Sequence, residues 1–168
     1  MTPSELKDLI SDCVQALSDN RTGTGDYPVS FIYGRVSDMF LDNLKDNYVK
    51  DLEKGGVVFM EYAPFRDNEV NESDGWMEYG VIMHFIKSHK ADARADANLL
   101  LQTEMYNLSV DFINVLKGNV TTNLSAANVT TLGTITAKRN NFSLFDYSPN
   151  LTAGVRTTLT VTTKFCSQ

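Results

Sequence analysis

The sequence predicts an α+β domain: a mainly antiparallel sheet flanked by an N-terminal helix and one long helix at about residues 91–117. Three observations lead there. Apolar residues recur at helical spacing near the N-terminus and again across residues 91–116. Residues 76–87 alternate apolar and polar as a half-buried strand does. The stretch from Asn141 to Phe165 is strand-forming, broken by a single turn at Asp146, Ser148, Pro149 and Asn150. Helices and strands do not alternate in a regular βαβ series, which favours helices packed on an antiparallel sheet over a doubly wound parallel one.

The elements follow in order. Thr2 caps the first helix, Pro3 suits its first position, and Glu5 completes a capping box. Its apolar stripe is Leu6, Leu9, Ile10, Cys13, Val14 and Leu17, and it is expected to end near Ser18. Asp19–Pro28 is a polar loop, and Val29–Val36 a strand apolar on both faces. Ser37-Asp38 opens a short helical turn carrying Met39, Phe40 and Leu44. After Gly55-Gly56 comes a continuous apolar strand, Val57–Tyr62, of the kind found in the middle of a sheet. Trp76–Lys87 pairs with it as an antiparallel hairpin, with Met77, Tyr79, Val81, Met83 and Phe85 on one face. Ala91–Leu116 is the long helix, its stripe running through Leu101, Met105, Leu108, Phe112 and Val115 or Leu116, and Lys117-Gly118 stops it. Thr134–Lys138 and Asn141–Asp146 are expected as two strands about a Lys138-Arg139-Asn140 turn. Val155–Phe165 closes the sheet. Its inner face carries Val155, Leu159, Val161 and Phe165, interrupted by Thr157 and Thr163. Its outer face carries Arg156, Thr158, Thr160, Thr162 and Lys164.

The chain has 168 residues, enough for one domain with a proper core, and no Pro-, Gly- or Ser-rich linker divides it. A formal net charge of −6 with scattered basic residues argues against a nucleic-acid grip, which needs clustered Lys and Arg. The N-terminal residues carry Glu5, Lys7, Asp8 and Asp12 where a signal peptide would be apolar, and no apolar run reaches membrane-spanning length. Cys13 and Cys166 form no C-x-x-C pair, and reduced thiols are expected.

No phosphate-binding loop, nucleophile elbow or H-E-x-x-H is present, so no catalytic residue, metal ligand or cofactor is assigned. The histidines are His84 and His89. Five residues apart on an extended strand, they fall on opposite sides, and both are expected at the surface. Asp92 and Asp96 suit the start of the long helix, where acidic groups oppose the helix dipole.

Two surfaces are candidate subunit interfaces. The segment Phe65–Gly75, with Arg66, Asp67, Glu69, Glu72 and Asp74, is either a solvated hairpin loop or a contact arm anchored by Phe65 and Trp76. The outer face of the last strand (Arg156, Thr158, Thr160, Thr162, Lys164) is either an ordinary solvent face or part of an edge on which a second chain pairs.

Several stretches together carry a family resemblance. They are Ser30-Phe-Ile-Tyr-Gly-Arg-Val36, then Asn43-Leu44, then a buried strand ending in Tyr62-Ala-Pro64, then an alternating strand, a long helix and the ending Asp146-x-x-x-Asn-Leu-x-x-Gly-Val155. The chain resembles the small neck and tail-completion proteins of tailed bacteriophages, tail terminators and head–tail joining rings in particular. The resemblance lies more in element order than in residues. It implies an antiparallel sheet flanked by helices and assembly with itself into a ring, a hexamer or dodecamer. The ring would sit in the virion against neck, portal-side or tail proteins, and genome DNA would pass through without specific binding. It implies no enzymatic activity, no cofactor and no membrane. The Asn119–Gly133 segment departs from a short terminator. Two other readings stand beside it. The eight Asn-x-Ser/Thr sequons fit a secreted or surface binding module, and His84 or His89 would serve a small enzyme.

Overall fold

The computed structural model describes residues 3–20, 28–35, 48, 51–61, 67–68, 76–88, 95–119, 135–147 and 152–164. The N-terminal helix α1 spans Pro3–Asn20 and buries Leu6, Leu9, Ile10, Cys13, Val14 and Leu17, the stripe that its 3.6-residue period lines up. Strand β1 is Ser30–Gly34, β2 is Val57–Glu61, β3 is Asp67–Asn68 and β4 is Trp76–Ser88. Helix α2 spans Ala95–Asn119, β5 spans Ile135–Tyr147 and β6 spans Thr152–Lys164.

The six strands form one mixed sheet in the order β1-β2-β4-β6-β5, with β3 also paired to β4. Among the described strands only the β1–β2 pair is parallel; β2–β4, β3–β4, β4–β6 and β5–β6 are antiparallel. Helices plus this sheet make the architecture α+β, with an N-terminal and a long helix as the sequence predicts.

Period-two alternation sorts the side chains into two faces. Tyr79, Val81, Met83 and Phe85 of β4 join Val155, Leu159 and Val161 of β6 and Val58 and Met60 of β2 in the main core. Helices α1 and α2 cover that face: Met105, Leu108, Phe112 and Leu116 of α2 are buried there, and Phe85 and Phe112 meet with ring centroids 5.7 Å apart. Lys87 Nζ donates to Glu104 Oε1 at 2.6 Å, tying β4 to α2. On the opposite face a smaller cluster of Leu52, Val57, Phe59 and Ile86 is joined by Ile32 and Tyr48. Both faces of β2 are therefore covered, which is why Val57, Val58, Phe59 and Met60 are all buried and its sequence does not alternate. A helical turn at 51–53 carries Leu52 into this cluster, and Ser30 Oγ donates to Asp51 Oδ2 at 2.6 Å. Gly56, at φ 95°, then swings the chain into β2, in a region of backbone space that a side chain disfavours.

Two expectations are corrected. Residues 135–147 form one strand, not two strands about a turn at Lys138-Arg139-Asn140; the ladder with β6 absorbs Asn140 as a bulge between Arg139 and Asn141. The long helix is described from Ala95 onward, and residues 91–94 of its expected span lie outside the described residues. The last strand is not an edge: β6 has β4 along one side and β5 along the other. The expected turn at 37–44, His89, Asp92 and the Asn119–Gly133 segment beyond its first residue lie outside the described residues.

Candidate functional site

The candidate interface residues separate into three groups. Phe65, Arg66, Glu69, Glu72 and Asp74 lie outside the described residues. Asp67 lies in β3, opposite Tyr79, and Trp76 opens β4, opposite Lys164 at the end of β6. Arg156, Thr158, Thr160 and Thr162 follow one another on β6, on the sheet face away from α1 and α2. Arg156 is exposed and the three threonines are partly so. Their register partners on β4 extend the same surface: Gly80 opposite Thr160 is exposed, and Ile82 opposite Thr158 is partly buried.

One end of that face holds a charged cluster that the sequence reading missed. Period two turns His84 away from the helices, and its neighbours across the ladders are Phe59 on β2 and Arg156 on β6. Glu61, at the end of β2, reaches back so that its Oε1 lies 2.5 Å from His84 Nε2 and 3.5 Å from Arg156 Nε. His84 is only 4% exposed, which overturns the expectation of a surface histidine. Burial pushes its pKa below the ordinary 6.5, opposed by the hydrogen bond and the charge of Glu61, with Arg156 adding to the downward push. The downward shift favours the neutral imidazole, whose Nε2–H donates to Glu61 Oε1. Phe59 stands edge-on to the imidazole at 6.0 Å. The arrangement holds a carboxylate between an imidazole and a guanidinium and locks β2, β4 and β6 together across the open face. Glu61 and Arg156 lie 95 positions apart in the chain, so only the strand order could reveal their meeting.

The other notable surface is the rim formed by β5. Phe142 and Leu144 are 48% and 47% exposed, large apolar side chains on the last strand of the sheet. Their register partners, Thr157 and Val155, are buried beneath α2, which places both on the helix-covered side. Phe142 packs on Tyr106 of α2 at a 5.0 Å centroid distance, and Leu99 and Leu100, near the start of the same helix, are exposed too. Helix α2 lies over β6 and reaches β5 only in part, so the outermost strand keeps its apolar side half uncovered.

A hollow between α1 and β1, lined by Ser11, Gln15, Ser18 and Tyr48 among others, offers less. Ser18 Oγ already accepts from the Val29 amide at 3.0 Å. Among the described residues no group of three or more His, Cys, Asp or Glu is arranged to hold a metal ion, and no helix is long and apolar enough to cross a membrane. A scan of protein-family models and a search of curated proteins found no match to this chain.

Proposed function

We propose that this chain is a structural subunit of a tailed-phage virion, forming a ring in the neck or at the top of the tail as a tail terminator, tail-completion protein or head–tail connector. The observation that carries the reading is the one-sided covering of the sheet. Helices α1 and α2 pack on one face, while the other face over β4 and β6 presents Gly80, Thr158, Thr160 and Thr162 to the outside. The sheet also ends in a long strand with half-exposed apolar residues. A subunit that lies between neighbours needs surfaces of this kind, and a monomer normally blunts or covers them. The resemblance in element order to neck and tail-completion proteins supports the same reading.

In this role the chain's partners are further copies of itself together with the neck, portal-side or tail proteins above and below. A net charge of −6 suits a lumen through which DNA slides without being held. The Glu61–His84–Arg156 cluster then acts as an internal brace, consistent with a histidine too deeply buried to meet a substrate.

Negative-stain imaging and native mass spectrometry of the purified chain, alone and mixed with portal-side or tail proteins from the same genome, test the reading. Rings of uniform stoichiometry are expected. A strict monomer under all these conditions contradicts it, and turnover abolished by His84→Ala would move the assignment to an enzyme.

A further inference from the structure

Among the described residues nothing pairs with the outer edge of β5, a strand of 13 residues. Such an edge is a template for another strand. The bulge at Asn140 interrupts the first half of the strand, but Asn141–Tyr147 continues unbroken and contains Phe142 and Leu144. We propose that this edge pairs antiparallel with β5 of a second copy of the chain, so that the sheet runs on through a two-fold axis at Ser143.

The register follows from the strand itself. Opposite residues in an antiparallel pair share a face. With Ser143 opposite Ser143, Phe142 of each copy lies opposite Leu144 of the other, and both belong to the helix-covered side. Asn140 is again passed over as a bulge, as it is against β6. Arg139 then falls opposite Asp146 at both ends, two positions whose register partners on β6, Leu159 and Ala153, are of one parity. In this register, positions of unlike formal charge in the sequence pair twice, and the exposed apolar residues Phe142 and Leu144 pair twice. Moving the axis to Phe142 sets Arg139 opposite Leu144, and moving it to Leu144 sets Asp146 opposite Phe142, so both neighbouring registers lose the charge match. The paired stretch is ~24 Å long. Tyr106 already contacts Phe142, and Leu99, two helical turns before Tyr106 on the same helix face, adds exposed apolar surface.

A contact of this type is isologous and closes on two copies. It goes beyond the neck assignment and does not depend on it. Where a separate head-to-tail contact builds a ring, the β5 pair doubles that ring into two layers.

Cysteine cross-linking in the full chain tests the register. In a Cys166→Ser background, with Cys13 buried, Ser143→Cys places two thiols directly across the axis, within the reach of a disulfide. Asn141→Cys is equally exposed, but its two copies lie ~14 Å apart along the ladder, too far to be bridged. Mild oxidation should convert Ser143→Cys to a band at twice 18.7 kDa and leave Asn141→Cys unlinked. Absence of that band, or equal linking of both variants, overturns the proposal, as would linking of Ser143→Cys only to a cysteine placed on β1. Phe142→Asp provides a second readout. With its circular dichroism unchanged it should sediment at half the mass of the wild type, and retention of the wild-type mass contradicts the pairing. If that variant fails to fold, the cross-linking decides alone.

Discussion

Thr157 shows how one side chain reconciles two demands. It stands on the inner face of β6 between Val155 and Leu159 and is fully buried, an awkward place for a hydroxyl. Its Oγ1 donates to the Asn141 carbonyl at 2.7 Å, next to the bulge at Asn140, so the irregular backbone of β5 and the buried hydroxyl satisfy each other. Thr157→Val keeps the shape and removes the bond. It should lower stability by about 0.5–1.5 kcal/mol in denaturant unfolding, and no loss at all would mean the bond adds nothing. His84 makes a second test at this scale. Its folded pKa is depressed, so the unfolded chain takes up a proton first as the pH falls. Stability contributed by the neutral imidazole is present above about pH 6.5 and is lost as the pH drops through and below that value. Denaturant midpoints measured from pH 7.5 down to 5 should fall, and His84→Gln should fall less steeply over the same range; parallel curves would contradict the assignment. Neither residue announced itself in the sequence. Thr157 read as a flaw in an apolar stripe, and His84 as a surface group, because the partners that satisfy them come from β5 and β2 across the sheet.

At the scale of elements, the helices were legible and the strand order was not. The stripe from Leu6 to Leu17 and that from Met105 to Leu116 are buried as their spacing predicts, because helical periodicity is local. Strand β4 could likewise be read from alternation alone. Whether β6 lies inside the sheet or at its edge depends on where β5 docks, and neither strand encodes that locally. The Lys138-Arg139-Asn140 run has the composition of a turn, yet the β6 ladder carries it through as a bulged strand. The β4–β6 contact also contains a close approach: a Cβ built on Gly154 runs into the Phe85 carbonyl of the neighbouring strand. Gly154→Ala should therefore cost about 1–3 kcal/mol by thermal or denaturant unfolding, through displacement of backbone rather than of a pliable side chain. An unchanged midpoint would mean that the two strands are not held this close. Proline at Thr160 would remove a donor inside the sheet, so it reports on folding and says nothing about assembly.

At the scale of the whole molecule, the described elements leave two surfaces uncovered. Helix α2 covers the outermost strand β5 only in part, leaving Phe142 and Leu144 half exposed, and the sheet face away from the helices bears a row of threonines beside Arg156. The candidate site was only partly visible beforehand. The threonine face could be read from period-two alternation, whereas the β5 rim needed the strand order, and the Glu61–His84–Arg156 brace needed the meeting of three strands. These surfaces are what make self-association the central claim. Sedimentation velocity of the unmodified chain across a range of concentrations tests it most directly. The account predicts species at even multiples of 18.7 kDa that persist on dilution into the micromolar range. A single 18.7 kDa species at every concentration would contradict it.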